Sequence, residues 1–307
     1  MVLATARPAG AETALGAARF SSMETSAREA ALGGAICALD AEPTALFTNP
    51  AGLARVSQAM AFSADAALLP YHQGLSFAGL AGWVQPEIAA GAGVLTYGAG
   101  NDIEFRGGNS AEPDSIVSAQ SQAFALGAGT HLLPPIWVGL SFKFLSETIG
   151  DFQGTGYSSD FGVSYRPYQP LMLSAVFRDY IKPAMDWKEP PSQGIDPVMR
   201  LGAAYEGGNW RVTADGSSLS GPYRRWGCGA EWDAHPRIIL RAGMENLHPT
   251  IGFGSRLRYP GKIDSRLDYA FAPAPPAGYL HRFSLVLGLE IMKAEKDRML
   301  FPTEIER

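Results

Sequence analysis

The sequence predicts an all-β protein, a single antiparallel transmembrane β-barrel of about fourteen strands, and three observations carry that reading. From Ser57 onward, apolar and polar residues alternate in segments bounded by Gly, Pro, Asn and Asp. Each segment is near the roughly 9–11 residues that a tilted strand needs to cross a bilayer. The links between segments also sort by parity, short after even-numbered segments and variable, twice long, after odd ones. A soluble sandwich has no reason to obey such a rule, whereas a membrane barrel has short turns at one end and longer loops at the other.

The bulk numbers agree. The chain has 307 residues, 35 of them Gly and 22 Pro, and only 18% are charged. No run of about 18 apolar residues occurs, which excludes a transmembrane helix but not a barrel, whose alternating strands average to neutral hydropathy. A net charge of −5 argues against a nucleic-acid partner, which needs a basic face. Cys37 and Cys228 stand far apart in sequence and fit no zinc or redox spacing.

Taken in order, the first twenty residues, MVLATARPAGAETALGAARF, lack the apolar core of about 7–15 residues that a secretory signal requires. For an exported protein the start is therefore expected to be truncated or already processed. The stretch 28–54, REAALGGAICALDAEPTALFTNPAGLA, is rich in small residues and ends in Asn49-Pro50-Ala51-Gly52. Asn-Pro opens a turn, because the proline ring keeps the preceding residue out of the α region. Gly52 is expected to close it with a positive φ, and residues 42–47 to form one helical turn with Pro43 at its first position. This segment is either a compact, bent plug or a surface loop before the first strand.

The predicted strands are 57–69, 73–83, 88–97, 116–131, 136–146, 156–166, 171–180, 198–206, 210–217, 224–233, 237–246, 250–259, 262–271 and 279–292. In 237–246, Ile238, Leu240, Ala242 and Met244 share one face, with Arg237, Arg241 and Glu245 on the other. In a membrane barrel the charged face lines the lumen. The candidate luminal charges are Arg225, Glu231, Arg241, Arg256, Arg258, Asp268 and Arg282, all in the second half of the chain. They either pair across strands and brace the lumen or line a functional wall opposite a low-charge one, on which the amino-terminal segment would pack. Aromatics near segment ends, among them Trp83, Tyr97, Tyr205, Trp210 and Trp226, fit interfacial girdles. The long loop 181–197 carries Met185, Trp187 and Ile195 among prolines, to serve as an exposed partner-binding surface or to fold over the barrel mouth.

The pattern Ala27-Arg28, Ala30-Ala31-Leu32-Gly33-Gly34-Ala35, Ala38-Leu39 and Asn49-Pro50-Ala51-Gly52-Leu53-Ala54 resembles the amino-terminal signature of the PorV/PorQ-like proteins, a branch of the FadL-type outer-membrane barrels. Later pieces resemble that family in the same order: Gly229-Ala230-Glu231-Trp232, Leu240-Arg241-Ala242-Gly243, Gly252-Phe253-Gly254, Asp268-Tyr269-Ala270-Phe271 and His281-Arg282-Phe283-Ser284-Leu285. The resemblance implies that residues 1–56 form a luminal hatch, marked by Arg28, Gly33, Gly34, Asn49, Pro50 and Gly52, and that 57–292 form the barrel. The charged tail 293–307, expected to be periplasmic, departs from family barrels, which commonly stop near the last strand.

No nucleophile sits in a G-x-S-x-G context and no histidines converge, so neither catalysis nor a metal or other cofactor is expected. Two function classes follow from the resemblance. One is a non-enzymatic component of a type IX-like secretion or surface-attachment system, binding a large translocon barrel or exported proteins. The other is a transporter that passes hydrophobic small molecules. Both place the chain in the bacterial outer membrane, against its lipid.

Overall fold

The computed structural model describes residues 19–105, 115–180, 184–187, 193–195, 197–219, 224–258, 263–274 and 278–289. The chain opens with a 3-10 turn, Arg19–Ser22, the short helices α1 (Ala27–Ala31) and α2 (Ala45–Thr48), and a second 3-10 helix, Pro50–Arg55. The strands follow: β1 (Met60–Leu68), β2 (Gln73–Gln85), β3 (Ile88–Phe105), β4 (Ser115–Leu133), β5 (Ile136–Ile149), β6 (Phe152–Tyr168), β7 (Leu171–Arg178), β8 (Ala184–Trp187) and β9 (Gln193–Gly194). The series ends with β10 (Val198–Gly207), β11 (Trp210–Leu219), β12 (Arg224–His235), β13 (Ile238–Glu245), β14 (His248–Arg258), β15 (Ile263–Ala274) and β16 (Gly278–Leu289).

Fourteen of these strands pair antiparallel, each with its sequence neighbours, and close through β1 on β16. The short β8 and β9 stand apart: β8 pairs with the upper edge of β6, and β9 with β8. Every predicted segment corresponds to one barrel strand. The main difference is length. β3 continues to Phe105 and pairs with β4 beyond a register shift between Ala99 and Ile103, so much of the expected long loop after Tyr97 is strand. Gly98 permits extended pairing as readily as a turn, and sequence pattern cannot separate the two.

The outward positions of the strands carry large apolar residues such as Leu80, Phe124, Leu140, Leu201, Val212 and Ile251, all exposed. The inward positions carry Lys143, Asp160, Arg200, Glu231, Arg241, Asp268 and Arg282, all buried. Apolar outside and charged inside is the arrangement of a barrel that crosses an outer membrane, the inverse of a soluble one. Arg237 is a correction to the expected facing, since it sits exposed in the turn before β13. Tyr97 is another: it points inward, 3% exposed, and belongs to no girdle. At the short-turn end, Tyr165, Tyr168, Tyr205 and Trp210 do stand outward, and Trp210 stacks on Trp232 at 5.2 Å.

Residues 20–56 lie inside the barrel and are almost wholly buried, so the surface-loop alternative does not hold. Their apolar side chains Phe20, Leu46, Phe47 and Leu53 pack with Leu75, Phe77, Leu95 and Leu145 of β2, β3 and β5. Phe47 meets Phe77 edge to face at 5.9 Å. The local geometry differs from expectation at Gly52, which sits within the 3-10 helix Pro50–Arg55. What that position needs is room for the Asp40 carbonyl, which a Cβ would strike. The helical turn also starts later, at Ala45, with Pro43 in the turn before it.

Candidate functional site: the barrel interior

Two kinds of wall hold the luminal segment. The first half of the segment meets the charged wall. Ser26 caps α1 by accepting from the Glu29 N–H at 3.1 Å, and Glu29 accepts in return from the Thr25 N–H at 2.9 Å. This reciprocal cap is legible as Ser26-x-x-Glu29, a signal the sequence reading passed over. It fixes Arg28 toward β12. Gly33 and Gly34 follow with φ of +65° and +76°, and a Cβ at Gly33 would overlap the Met244 backbone. Both conformation and space therefore demand glycine there.

Arg28 donates from Nε and Nη2 to the two oxygens of Glu231, each at 3.0 Å. Glu231 is also bound by Arg241 at 2.5 Å, Arg241 by Asp268 at 2.7 Å, and Asp268 by Arg266 at 2.6 Å. Arg266 reaches Glu42 at 2.8 Å, and Glu42 returns to Arg28 at 3.3 Å. The six side chains thus close a ring of alternating charge, four from β12, β13 and β15 and two from the luminal segment. Arg211 adds a further contact to Glu231. A ring in which every charge has two opposite neighbours meets the desolvation penalty that a lone buried pair often fails to offset.

A second cluster lies toward the mouth. Asp215 Oδ2 accepts from the Ile36 and Cys37 N–H groups at 2.9 and 2.8 Å and pairs with Arg200 at 2.8 Å. Arg200 also donates to the Gly34 carbonyl and contacts Glu29 at 3.4 Å. Arg225 bridges Glu24 and Glu245, and Arg282 donates to the Glu24 carbonyl.

The second half of the segment meets the other wall. Asn49, extended at φ −158° as a residue before proline must be, caps the 3-10 helix by accepting from the Ala51 N–H. Its side-chain amide donates to the Cys37 carbonyl at 2.7 Å and to Ser164 at 3.1 Å. Pro50–Arg55 lies against β4, β5 and β6 at positions where the barrel wall is glycine. A Cβ at Gly139 would fall on the Pro50 carbonyl, and one at Gly129 would stand 2.8 Å from the Ala54 nitrogen. The expectation that the segment rests only on a low-charge wall is therefore corrected: it spans the lumen and binds both walls, because it carries its own charges, Glu24, Arg28, Glu29 and Glu42.

Burial sets the titration of several luminal groups. Desolvation, with Glu42 nearby, pushes the Asp40 carboxyl up to about 7, although Thr48 and Thr44 donate to it. Burial pushes the Cys37 thiol up as well, with the Asp215 charge adding to the effect. Burial would raise the Glu24 carboxyl, but Arg225 and Arg282 beside it prevail and hold it at about 2.

All six expected hatch residues lie in this interior. Of the luminal charges, Arg225, Glu231, Arg241, Asp268 and Arg282 face inward as expected. Arg256 is more open, its side chain 37% exposed and paired with Asp233 at 2.9 Å, and the Arg258 side chain lies outside the described residues. Met185 is fully buried, and Trp187 and Ile195 pack beside it against the apolar cluster of Leu75, Phe77, Leu95 and Tyr97. The loop's described apolar residues thus pack inward rather than forming an exposed surface. Cys37 is buried in the interior and Cys228 is exposed outside, both free. The tail 293–307 lies outside the described residues.

Sequence comparison offers no parentage: no protein-family model and no curated protein matches the chain. Comparison of folds does. The toluene transporter TbuX of Ralstonia pickettii superposes with a TM-score of 0.62 over 86% of this chain and 97% of its own, at 14% identity. The Pseudomonas putida toluene transporter TodX gives 0.59 over 86% and 97%, at 12% identity. A Pseudomonas aeruginosa FadL homologue gives 0.59 over 87% and 98%, at 9% identity. The architecture is that of the FadL-type outer-membrane barrels.

Proposed function

We propose that this protein is an outer-membrane channel for hydrophobic small molecules, non-enzymatic, with residues 1–56 as its plug. The observation that carries the reading is the apolar inner wall. Inward positions of a membrane barrel are ordinarily polar. Here Leu75, Phe77, Leu95 and Leu145 point inward, each at most 2% exposed. With Phe20, Leu46, Phe47 and Leu53 of the luminal segment they form one buried apolar cluster inside the barrel. A lumen that served only as a water-filled pore or a braced scaffold would have no use for it. The fold neighbours described as toluene transporters and as a monoaromatic hydrocarbon channel fit the same class of solute.

The test is toluene binding by the purified barrel in nanodiscs, followed by tryptophan fluorescence. Saturable binding is expected, with a loss of at least about tenfold in affinity for Leu95→Asp, which buries a charge in this apolar cluster. Absence of saturable binding to the folded wild-type barrel overturns the reading.

A second reading rests on a specific observation. The plug is bonded to both walls, as in a sealed barrel that serves to hold partners, the PorV/PorQ-like role in a secretion or surface-attachment system. Mild-detergent purification from outer membranes distinguishes the two. Co-purification of a very large barrel, or of exported proteins sharing one carboxy-terminal domain, favours the second. Recovery of the barrel alone with bound apolar molecules favours the first.

A further inference from the structure

The outward faces of the last three strands carry an aromatic patch with one ionisable member. Tyr269 of β15 stands opposite Phe283 of β16 in register, and their rings lie 5.1 Å apart. Phe253 of β14 packs against Tyr269 at 5.5 Å. Phe271, opposite His281 in register, meets it edge to face at 5.3 Å and stacks on Tyr279 at 4.9 Å. On its other flank His281 is paired with Leu68 of β1, an exposed residue, at the end of the seam that closes the barrel. The strand neighbours of His281 on this lipid-facing surface are thus apolar or aromatic. An ionisable side chain in such surroundings is costly and calls for a polar partner.

One partner is internal. The Tyr269 hydroxyl and His281 Nδ1 lie 2.9 Å apart, and the tautomer decides which of them donates. With Tyr269 donating to Nδ1, the imidazole carries its hydrogen on Nε2, and a lipid oxygen can accept from that N–H. With the roles reversed, the Nε2 lone pair needs a donor, which the acyl-ester layer of a bilayer seldom supplies. The depth of the pair identifies the oxygen. The β15–β16 connection lies at the same end of the barrel as the long connections from β3 to β4 and from β7 to β10, the outer end of such a barrel. His281 is the fourth residue of β16, one outward position below Tyr279 and one above Phe283. Interfacial tyrosines sit at headgroup level, and the apolar band lies beneath them. His281 falls between the two, where lipids carry their ester carbonyls.

We propose that Tyr269 and His281 form an outward-facing lipid site, in which Tyr269 holds the imidazole and His281 Nε2 donates to the acyl ester carbonyl of an outer-leaflet lipid. The occupant is a lipid because this surface is continuous with the lipid-facing exterior of the barrel. A neutral acceptor fits better than a phosphate, since the flanking Leu68, Phe271, Tyr279 and Phe283 bring no positive charge. The same neighbours keep water from the bond, and the low local dielectric strengthens it. The site ties the lipid to the outer end of the β1–β16 seam and so fixes the depth of the strand pair on which closure depends. It is independent of what the barrel carries.

The experiment compares the full-length protein in liposomes of a diester phosphatidylcholine and of its diether analogue, which lacks the carbonyls. On passing from ester to ether, the wild type is expected to lose about 2–4 °C more in apparent melting temperature than His281→Phe, which keeps a ring and removes the N–H. An equal loss in the two proteins overturns the proposal. Should His281→Phe fail to fold, a direct measurement on the wild type decides. With isotope-labelled histidine nitrogens and lipid carbonyls, solid-state NMR is expected to show His281 as the Nε2–H tautomer, with a dipolar contact from that nitrogen to the ester carbon. Its signal is the one that Tyr269→Phe displaces, and the contact should weaken in that variant. The Nδ1–H tautomer, or a contact to the headgroup phosphorus in place of the carbonyl, overturns the proposal.

Discussion

Arg28 and Glu231 meet as a bidentate pair across the inside of the barrel, both contacts 3.0 Å, one partner on the luminal segment and one on β12. The pair is separated by 203 residues of sequence, yet it closes a six-membered charge ring that no subset of the strands could close. Bidentate geometry requires guanidinium, because an ammonium presents a point charge without the fork. Arg28→Ala is expected to weaken plug docking by about 1–3 kcal/mol, less than loss of an isolated buried pair costs, since Glu231 keeps Arg211 and Arg241. Arg28→Lys should recover only part of it. The rate of Cys37 modification by a small thiol reagent reports the docking. An unchanged rate in Arg28→Ala would show that the ring does not hold the plug.

The glycine wall makes a sharper steric prediction. Gly139→Ala places a methyl group on the backbone of Pro50, which cannot rotate away, and should cost about 1–3 kcal/mol by overpacking. Gly98→Ala and Gly216→Ala meet nothing within 4 Å and should be close to neutral. Heat-modifiable gel mobility of the three variants checks the order.

The plug should be tighter in mild acid than in mild base as far as Asp40 is concerned. Its folded pKa of about 7 lies above the unfolded value near 3.9, so the folded state holds the extra proton. Its contribution is fully favourable below the unfolded value and is lost as pH rises through about 7. The difference in melting temperature between the wild type and Asp40→Asn, followed from about pH 5 to about 8, isolates this group; the wild type should lose ground as pH rises toward about 7 and level off above it. A constant difference would contradict the assignment.

Phe77 packs edge to face on Phe47 and is 2% exposed, at the junction of plug and apolar wall. Phe77→Ala should open a cavity in this apolar cluster at a cost of about 3–5 kcal/mol. The enlarged space is expected to bind toluene more tightly than the wild type does, read by the same fluorescence titration. Weaker binding in a folded variant would place the solute elsewhere.

The barrel was legible because its cause is periodic. Alternation at Ile238, Leu240 and Ala242 against Arg241 and Glu245, and short links such as Pro134-Pro135, are local consequences of crossing a bilayer, and each can be read within ten or so residues. The interior was legible only in part. The inward side of Arg241 or Asp268 follows from strand period, but the ring does not, because Arg28 and Glu42 lie on a segment with no period to orient them. Ser26-x-x-Glu29 could have anchored that orientation. Met185 and Trp187 were recognisable as anomalous in an external loop, but whether they face out or down depends on the height of β6 above β7, which only strand pairing fixes.

The central claim is that the apolar inner wall is a passage. Its most direct test is flux of labelled toluene into vesicles carrying the full-length protein, against a water-soluble solute of similar size. The account predicts that the protein accelerates toluene and not the polar solute, and that Leu95→Asp removes the acceleration while the barrel stays folded. Equal acceleration of both solutes, or of neither, would contradict it.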